Sequence, residues 1–215
     1  MSEFLFDGPE HALATLLLGH GAGAPMDSAF MTAIAALLAE HGLRVARFEF
    51  PYMAARRHGS RRPPPPRAEK MTDFVAQTAA ALKTDRPLLI GGKSYGGRVA
   101  SLAAQSLFDT GIICGLVLLG YPFHPPGRPE NLRTGHLGGM TVPTLICQGE
   151  RDPFGSKAEV ETYRLPAAFT VNWARDGNHD LRPRKKSGLT PDQNLRDAAL
   201  AISAFARAVT GPANS

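Results

Sequence analysis

Apolar residues recur along this chain with two different periods. Ala12–Leu18, Leu88–Ile90, Gly115–Leu119 and Thr144–Cys147 are short apolar runs, the pattern of strands buried on both faces. Arg44–Phe50 alternates and then turns apolar, Phe169–Trp173 reads as a last strand, and Glu3–Phe6 as a short edge strand. Between these runs the spacing becomes helical. Phe30, Ile34, Leu37 and Leu38 mark one helix, with Asp27 as its expected cap and Gly42 as its stop. Met71, Phe74, Val75, Thr78, Ala79 and Leu82 mark a second, and Val99, Leu102, Ala103 and Ser106 a third that ends before Gly111. Ser156 and Glu159 form a capping-box signature. Thr190, Pro191 and Gln193 open a final helix with a buried stripe of Leu195, Ala199, Ile202, Ala206 and Val209. The segment from Pro51 to about Arg67 reads as a loop, because Pro63–Pro66 forbid a helix there. Tyr121–Met140 is a second long loop, rich in Pro and Gly, and Gly211–Ser215 is a frayed tail.

Strands alternating with helices predict an α/β fold, with a mainly parallel sheet of six to seven strands and helices on both faces. Residues 1–215 read as one domain. In such sheets chemistry lies at the carboxyl ends of the strands. Each chemically suggestive loop here follows a strand, so these loops are expected at one edge.

Composition narrows the picture. The 215 residues suit one core of ordinary size. The two cysteines, Cys114 and Cys147, fall in apolar runs and read as core thiols, and no Cys/His spacing suggests a metal. The first residues contain acids and no basic region, and no apolar run is long enough to span a bilayer, so a cytoplasmic protein with no membrane partner is expected. The net charge of +5 is local: Ala54–Arg67 carries five arginines and no acid, and the remainder nets to zero.

One stretch carries chemistry. Leu88–Arg98 reads LLIGGKSYGGR, placing Ser94 between Gly92 and Gly96 at a strand-to-helix turn, which is G-x-S-x-G in the context that gives it meaning. Glycines relieve the sharp turn, and the following helix aims free N–H groups at the same point. A serine nucleophile needs a base, and the base an orienting acid. Of seven histidines, only His179 follows the last strand, between a glycine turn and the final helix. Asp152, in the turn before Pro153, is the expected acid. Its rivals are Glu150, nearer the strand end, and Asp176 and Asp180, which adjoin His179. An oxyanion hole is expected from the N–H of Tyr95 and that of Ala22 in His20–Gly23, with Gly23 as the alternative donor. This glycine loop does not read G-x-G-x-x-G, so no dinucleotide cofactor, and no cofactor of any kind, is expected.

These motifs resemble those of the α/β-hydrolases, and more narrowly a compact family of predicted hydrolases near the dienelactone hydrolases. The recurrent stretches of that family are an HGAGA loop, an FPYM segment leading into RRPPP, a GGKSxGGR elbow, a GYPFHPPG loop, a G-x-x-D-P-x-G turn and a late G-x-H. They occur here at His20–Ala24, Pro51–Pro66, Gly91–Arg98, Gly120–Gly127, Gly149–Gly155 and Gly177–His179. The resemblance implies a single-domain α/β-hydrolase fold and a triad in the chain order Ser94, Asp152, His179. Tyr121–Met140 is too short for a lid domain. Dienelactone hydrolases proper use cysteine where this chain has Ser94, so their substrate does not transfer.

The expected function is a serine hydrolase acting on a small-molecule carboxylic ester or thioester. Arg56, Arg57, Arg61, Lys93 and His124 are the expected substrate contacts, the arginines holding an anionic substrate. The competing expectation is a hydrolase-fold binding module whose basic loops hold an acidic partner. The basic segments lack interleaved aromatics and any nucleic-acid motif, so nucleic acid is not expected.

Overall fold

The computed structural model describes residues 3–59, 63–190 and 192–211. The first strand, β1 (Phe4–Asp7), leads to β2 (Thr15–Gly19), α1 (Ala29–Glu40), β3 (Arg44–Phe48), α2 (Pro51–His58) and α3 (Thr72–Ala81). The chain continues through β4 (Leu88–Lys93), α4 (Tyr95–Asp109), β5 (Gly115–Leu119), β6 (Thr144–Gly149), α5 (Lys157–Val160), β7 (Phe169–Ala174) and α6 (Gln193–Thr210). The seven strands form one sheet in the order β1-β3-β2-β4-β5-β6-β7. Only β1 runs antiparallel to its neighbour, Phe4 standing opposite Phe48.

Strands β2, β4, β5 and β6 are buried at every residue, as their apolar runs require. Alternate side chains feed two cores. Leu17, Ile90, Leu116 and Leu118 pack with Val75, Val99 and Ala103 on one face. Leu16, Leu18, Leu89, Val117 and Leu119 pack with Ile34, Leu38, Ile202 and Ala206 on the other. The parallel register stops the strands together: Gly19 stands beside Gly92, Lys93 beside Leu119, and Gly149 beside Ala174. The loops after β2, β4, β5, β6 and β7 therefore open on one edge.

Three expected boundaries are corrected. Pro51–His58 is a helix, not loop: proline is favoured at the first helical position, and burying Tyr52 and Met53 holds the segment. Asp27 does not cap α1. Its carboxylate instead accepts two hydrogen bonds from Arg57, and Ser28 holds the cap position. α6 begins after Asp192 rather than at Thr190, whose carbonyl accepts a turn bond from the Gln193 N–H. Pro191, like Arg61 and Arg62, lies outside the described residues. Gly42 does end α1 as expected, in the left-handed region at φ 82°. The Glu159 carboxylate accepts from both the N–H and the hydroxyl of Ser156, as the capping signature predicts. Tyr121–Met140 stays irregular apart from one 3-10 turn at Leu137–Gly139.

Two contacts fix the loops at the open edge. At the turn from β4 into α4, glycines let backbone meet backbone. A β-carbon on Gly92 would stand 2.4 Å from the Gly96 carbonyl carbon, and one on Gly96 would stand 2.6 Å from the carbonyl oxygens of both Gly19 and His20. The second contact is made by fully buried His20. Its Nε2 accepts the Phe50 N–H at 3.1 Å, so Nδ1 carries the proton and donates to the Gly21 carbonyl at 2.7 Å. Burial lowers the His20 pKa below 6.5 by penalising the cation.

Two outcomes follow from these contacts. Gly96→Ala forces a β-carbon onto two backbone oxygens and is expected to destabilise by about 2–4 kcal/mol, lowering Tm by roughly 10 °C. Gly23→Ala, where nothing lies within 4 Å, leaves Tm within experimental scatter. Because the unfolded chain protonates His20 near pH 6.5 and the folded chain only at lower pH, stability falls as pH drops below 6.5. Urea denaturation between pH 7 and pH 5 is expected to show this fall, and a shallower one in His20→Gln.

Candidate active site

The β4–α4 turn sets the position of Ser94. Its backbone lies at φ 50°, ψ −110°, a region that side-chain-bearing residues rarely enter and that costs about 1–3 kcal/mol. Its N–H donates to the Leu119 carbonyl at 2.9 Å, which ties the turn to β5. A serine at a helix N-cap usually spends its hydroxyl on the helix backbone. Here the hydroxyl makes no cap bond. It points to His179, with Oγ 2.9 Å from Nε2.

The other imidazole nitrogen, Nδ1, lies 2.8 Å from Asp152 Oδ2. A carboxylate only accepts, so Nδ1 carries the proton and Nε2 is free to accept from the serine. Asp152 is fully buried, and both of its oxygens are occupied. Oδ2 also accepts from Gln148 Nε2 at 3.0 Å, and Oδ1 accepts the Phe154 N–H at 2.9 Å. Gln148 is itself locked, accepting the Tyr121 N–H at 2.7 Å through Oε1. Its signal in the sequence is only a polar residue near the end of an apolar strand, which does not reveal its partners.

The turn carrying His179 is closed by Asn178, whose Oδ1 accepts the N–H groups of Asp180 and Arg182 at 2.9 and 3.0 Å. Gly120, at φ 59°, makes room for it: a β-carbon there would stand 2.7 Å from the His179 carbonyl oxygen. The Phe154 ring lies against the imidazole with centroids 4.3 Å apart.

The loop after β2 faces the serine. A β-carbon on Gly21 would stand 4.0 Å from Ser94 Cβ. The Gly21 carbonyl is turned toward His20 and Tyr52, and the Ala22 carbonyl accepts from the Tyr52 hydroxyl at 3.1 Å. Because the peptide unit is planar and trans, the N–H groups of Ala22 and Gly23 point away from those acceptors. Tyr95 begins α4, whose first ladder bond runs from the Arg98 N–H to the Ser94 carbonyl, so the Tyr95 N–H lies ahead of the ladder.

A groove of about 510 Å³ opens in front of Ser94 and His179. It is lined by Ala24, Ala29, Phe30, Met31, Phe154, Asp180 and Arg182 among others. Lys93 also reaches it. Its buried ammonium lies 3.2 Å from Asp180 and sits over the Phe30 ring. Burial lowers the Lys93 pKa, and Asp180 opposes the shift.

Three of the remaining expected contacts, Arg56, Arg57 and His124, do not line this groove. Arg56 donates to the Pro63 carbonyl and lies over the Tyr52 ring. Arg57 is paired with Asp27 and Glu49 at 2.6 and 2.5 Å. His124 is buried, with Nδ1 donating to the Pro125 carbonyl. These side chains are engaged by other acceptors, Asp27 lying thirty positions from Arg57, which sequence order does not disclose. Arg61 lies outside the described residues. The rival acids are engaged elsewhere. Glu150 accepts the Asp176 N–H and pairs with Lys157. Asp176 pairs with Arg151 and Arg184, the latter holding its pKa down at about 2.

A family model described as an alpha/beta hydrolase domain matches residues 12–207. No curated protein matches the sequence. Among solved structures, Est1E from Butyrivibrio proteoclasticus, determined with ferulic acid bound, is 18% identical with a TM-score of 0.69 over 97% of this chain and 95% of its own. A serine hydrolase without a lid from Xanthomonas campestris is 21% identical, with a TM-score of 0.64 over 100% and 97%. Dienelactone hydrolase from Anabaena variabilis is 19% identical, with a TM-score of 0.66 over 93% and 88%. With the family model covering nearly the whole chain, this protein belongs to the alpha/beta-hydrolase family.

Proposed function

We propose that this protein is a serine hydrolase of small carboxylic esters or thioesters, with Ser94 as nucleophile, His179 as general base and acid, and Asp152 as the residue that orients the imidazole. The observation that carries the reading is the unbroken chain of contacts from Ser94 Oγ to His179 Nε2 at 2.9 Å and from Nδ1 to Asp152 at 2.8 Å. That an N-cap serine leaves its own helix uncapped to make this contact adds support.

The steps follow from the geometry. Oγ attacks the carbonyl carbon as its proton passes to Nε2. The resulting oxyanion is met by the N–H groups of Tyr95 and Ala22, and the dipole of α4 favours the same charge. When the intermediate collapses, the C–O or C–S bond breaks and Nε2 returns the proton to the leaving group. Water then attacks the acyl-serine while Nε2 takes its proton, and cleavage of the acyl bond restores the serine hydroxyl and frees the acid. Asp152 steadies the transient imidazolium from within the core, where its three donors keep it an acceptor. The ion pairs that occupy Arg57 weigh against the competing reading, in which basic loops hold an acidic partner.

A fluorophosphonate probe is expected to label the wild-type protein at Ser94, and Ser94→Ala to lose both labelling and hydrolysis of 4-nitrophenyl butyrate. Absence of labelling in the folded wild type overturns the reading. In Asp152→Asn the imidazole can take the wrong tautomer, and kcat/KM is expected to fall by about 10³–10⁴-fold with the fold retained by circular dichroism.

A further inference from the structure

Of the two cations that line the groove in front of Ser94, one makes no ion pair among the described residues. Lys93 and Asp180 cancel each other at 3.2 Å. Three other cations on this edge are matched, Arg184 and Arg151 by Asp176 and Arg57 by Asp27 and Glu49, while Lys185 and Lys186 lie outside the groove. Arg182 also lines the groove, is exposed, and makes no ion pair among the described residues.

Its place is built rather than incidental. The Arg182 N–H donates to Asn178 Oδ1 and its carbonyl accepts the Asn178 N–H, both at 3.0 Å. The preceding residue, Leu181, lies in the left-handed region at φ 61° although it is a buried leucine at 1% exposure. That conformation is strained for a residue with a side chain and persists where its surroundings hold it. Here the core grips the leucine side chain, and Asn194 Nδ2 donates to its carbonyl at 2.8 Å. The turn thus sends His179 and Arg182, three residues apart, to the same groove, with a fixed backbone between them. The same groove is lined by the apolar side chains of Phe30, Met31 and Phe154.

We infer that the substrate is an anionic ester or thioester, its apolar part against Phe30 and Phe154 and its carboxylate on Arg182, which makes Arg182 the specificity-determining residue. This rests on the hydrolase reading of the same groove. A guanidinium presents paired donors that match a carboxylate, and at a half-open rim one such contact is worth about tenfold in selectivity.

The test compares kcat/KM for two anionic esters, mono-4-nitrophenyl glutarate and 4-carboxyphenyl acetate, with that for neutral 4-nitrophenyl butyrate. The first carries its carboxylate on the acyl side and the second on the leaving group. The ratio of anionic to neutral kcat/KM cancels any difference in folded fraction between preparations. In Arg182→Gln that ratio is expected to fall about tenfold for the anionic ester the wild type prefers, chiefly through KM. Arg182→Lys retains part of it, and Lys186→Gln, which removes an equal charge outside the groove, leaves it within twofold. Added salt lowers the wild-type ratio more than that of Arg182→Gln. An unchanged ratio in Arg182→Gln, or an equal fall in Lys186→Gln, overturns the inference while hydrolysis of the neutral ester preserves the serine-hydrolase reading. No hydrolysis of any ester, with no fluorophosphonate labelling, removes that reading and this inference together.

Discussion

Backbone-on-backbone packing at the β4–α4 turn is the constraint from which the site follows. Gly92, Gly96 and the end of β2 approach so closely that no β-carbon fits between them. The closeness goes with a strained conformation at Ser94, whose hydroxyl lies within hydrogen-bond distance of His179. The same approach sets the β2 loop against the serine. The turn thus brings together the hydroxyl, a helix N-terminus and a second backbone segment.

The rest of the site is held by hydrogen bonds from residues around the Ser94–His179–Asp152 contacts. Gln148 and the Phe154 N–H each donate to Asp152 beside His179, so both carboxylate oxygens are held. His20 and Tyr52 hold the carbonyls of the β2 loop and so turn its N–H groups. Asn178 closes the turn that carries His179. Each of these is a polar residue whose bonds are spent on backbone or on another fixed side chain. That is how a flexible loop acquires a defined geometry.

The legibility of the site varied by residue for physical reasons. Ser94 is readable because its glycine neighbours answer a local steric demand. His179 and Asp152 are readable from order along the chain, since a parallel sheet delivers every loop after a strand to one edge. Arg56 and Arg57 carry no such constraint. A charge cluster in sequence says nothing about which acceptors lie nearby, and in the fold Asp27, Glu49 and the Pro63 carbonyl claim both side chains. Arg182 stands in an equally basic run and reaches the groove because the turn at Leu181 sends it there.

What this sequence determined by itself is the alternation of buried strands and helices, and the elbow at Ser94. Both follow from local rules, the period of apolar residues and the absence of β-carbons, that need no knowledge of distant partners. The tertiary structure alone decided which charges are neutralised, that Pro51–His58 coils into a helix, and which of the cations faces the groove. Those outcomes depend on residues tens of positions apart meeting across the sheet edge, where electrostatics and packing act over distance in space and not along the chain.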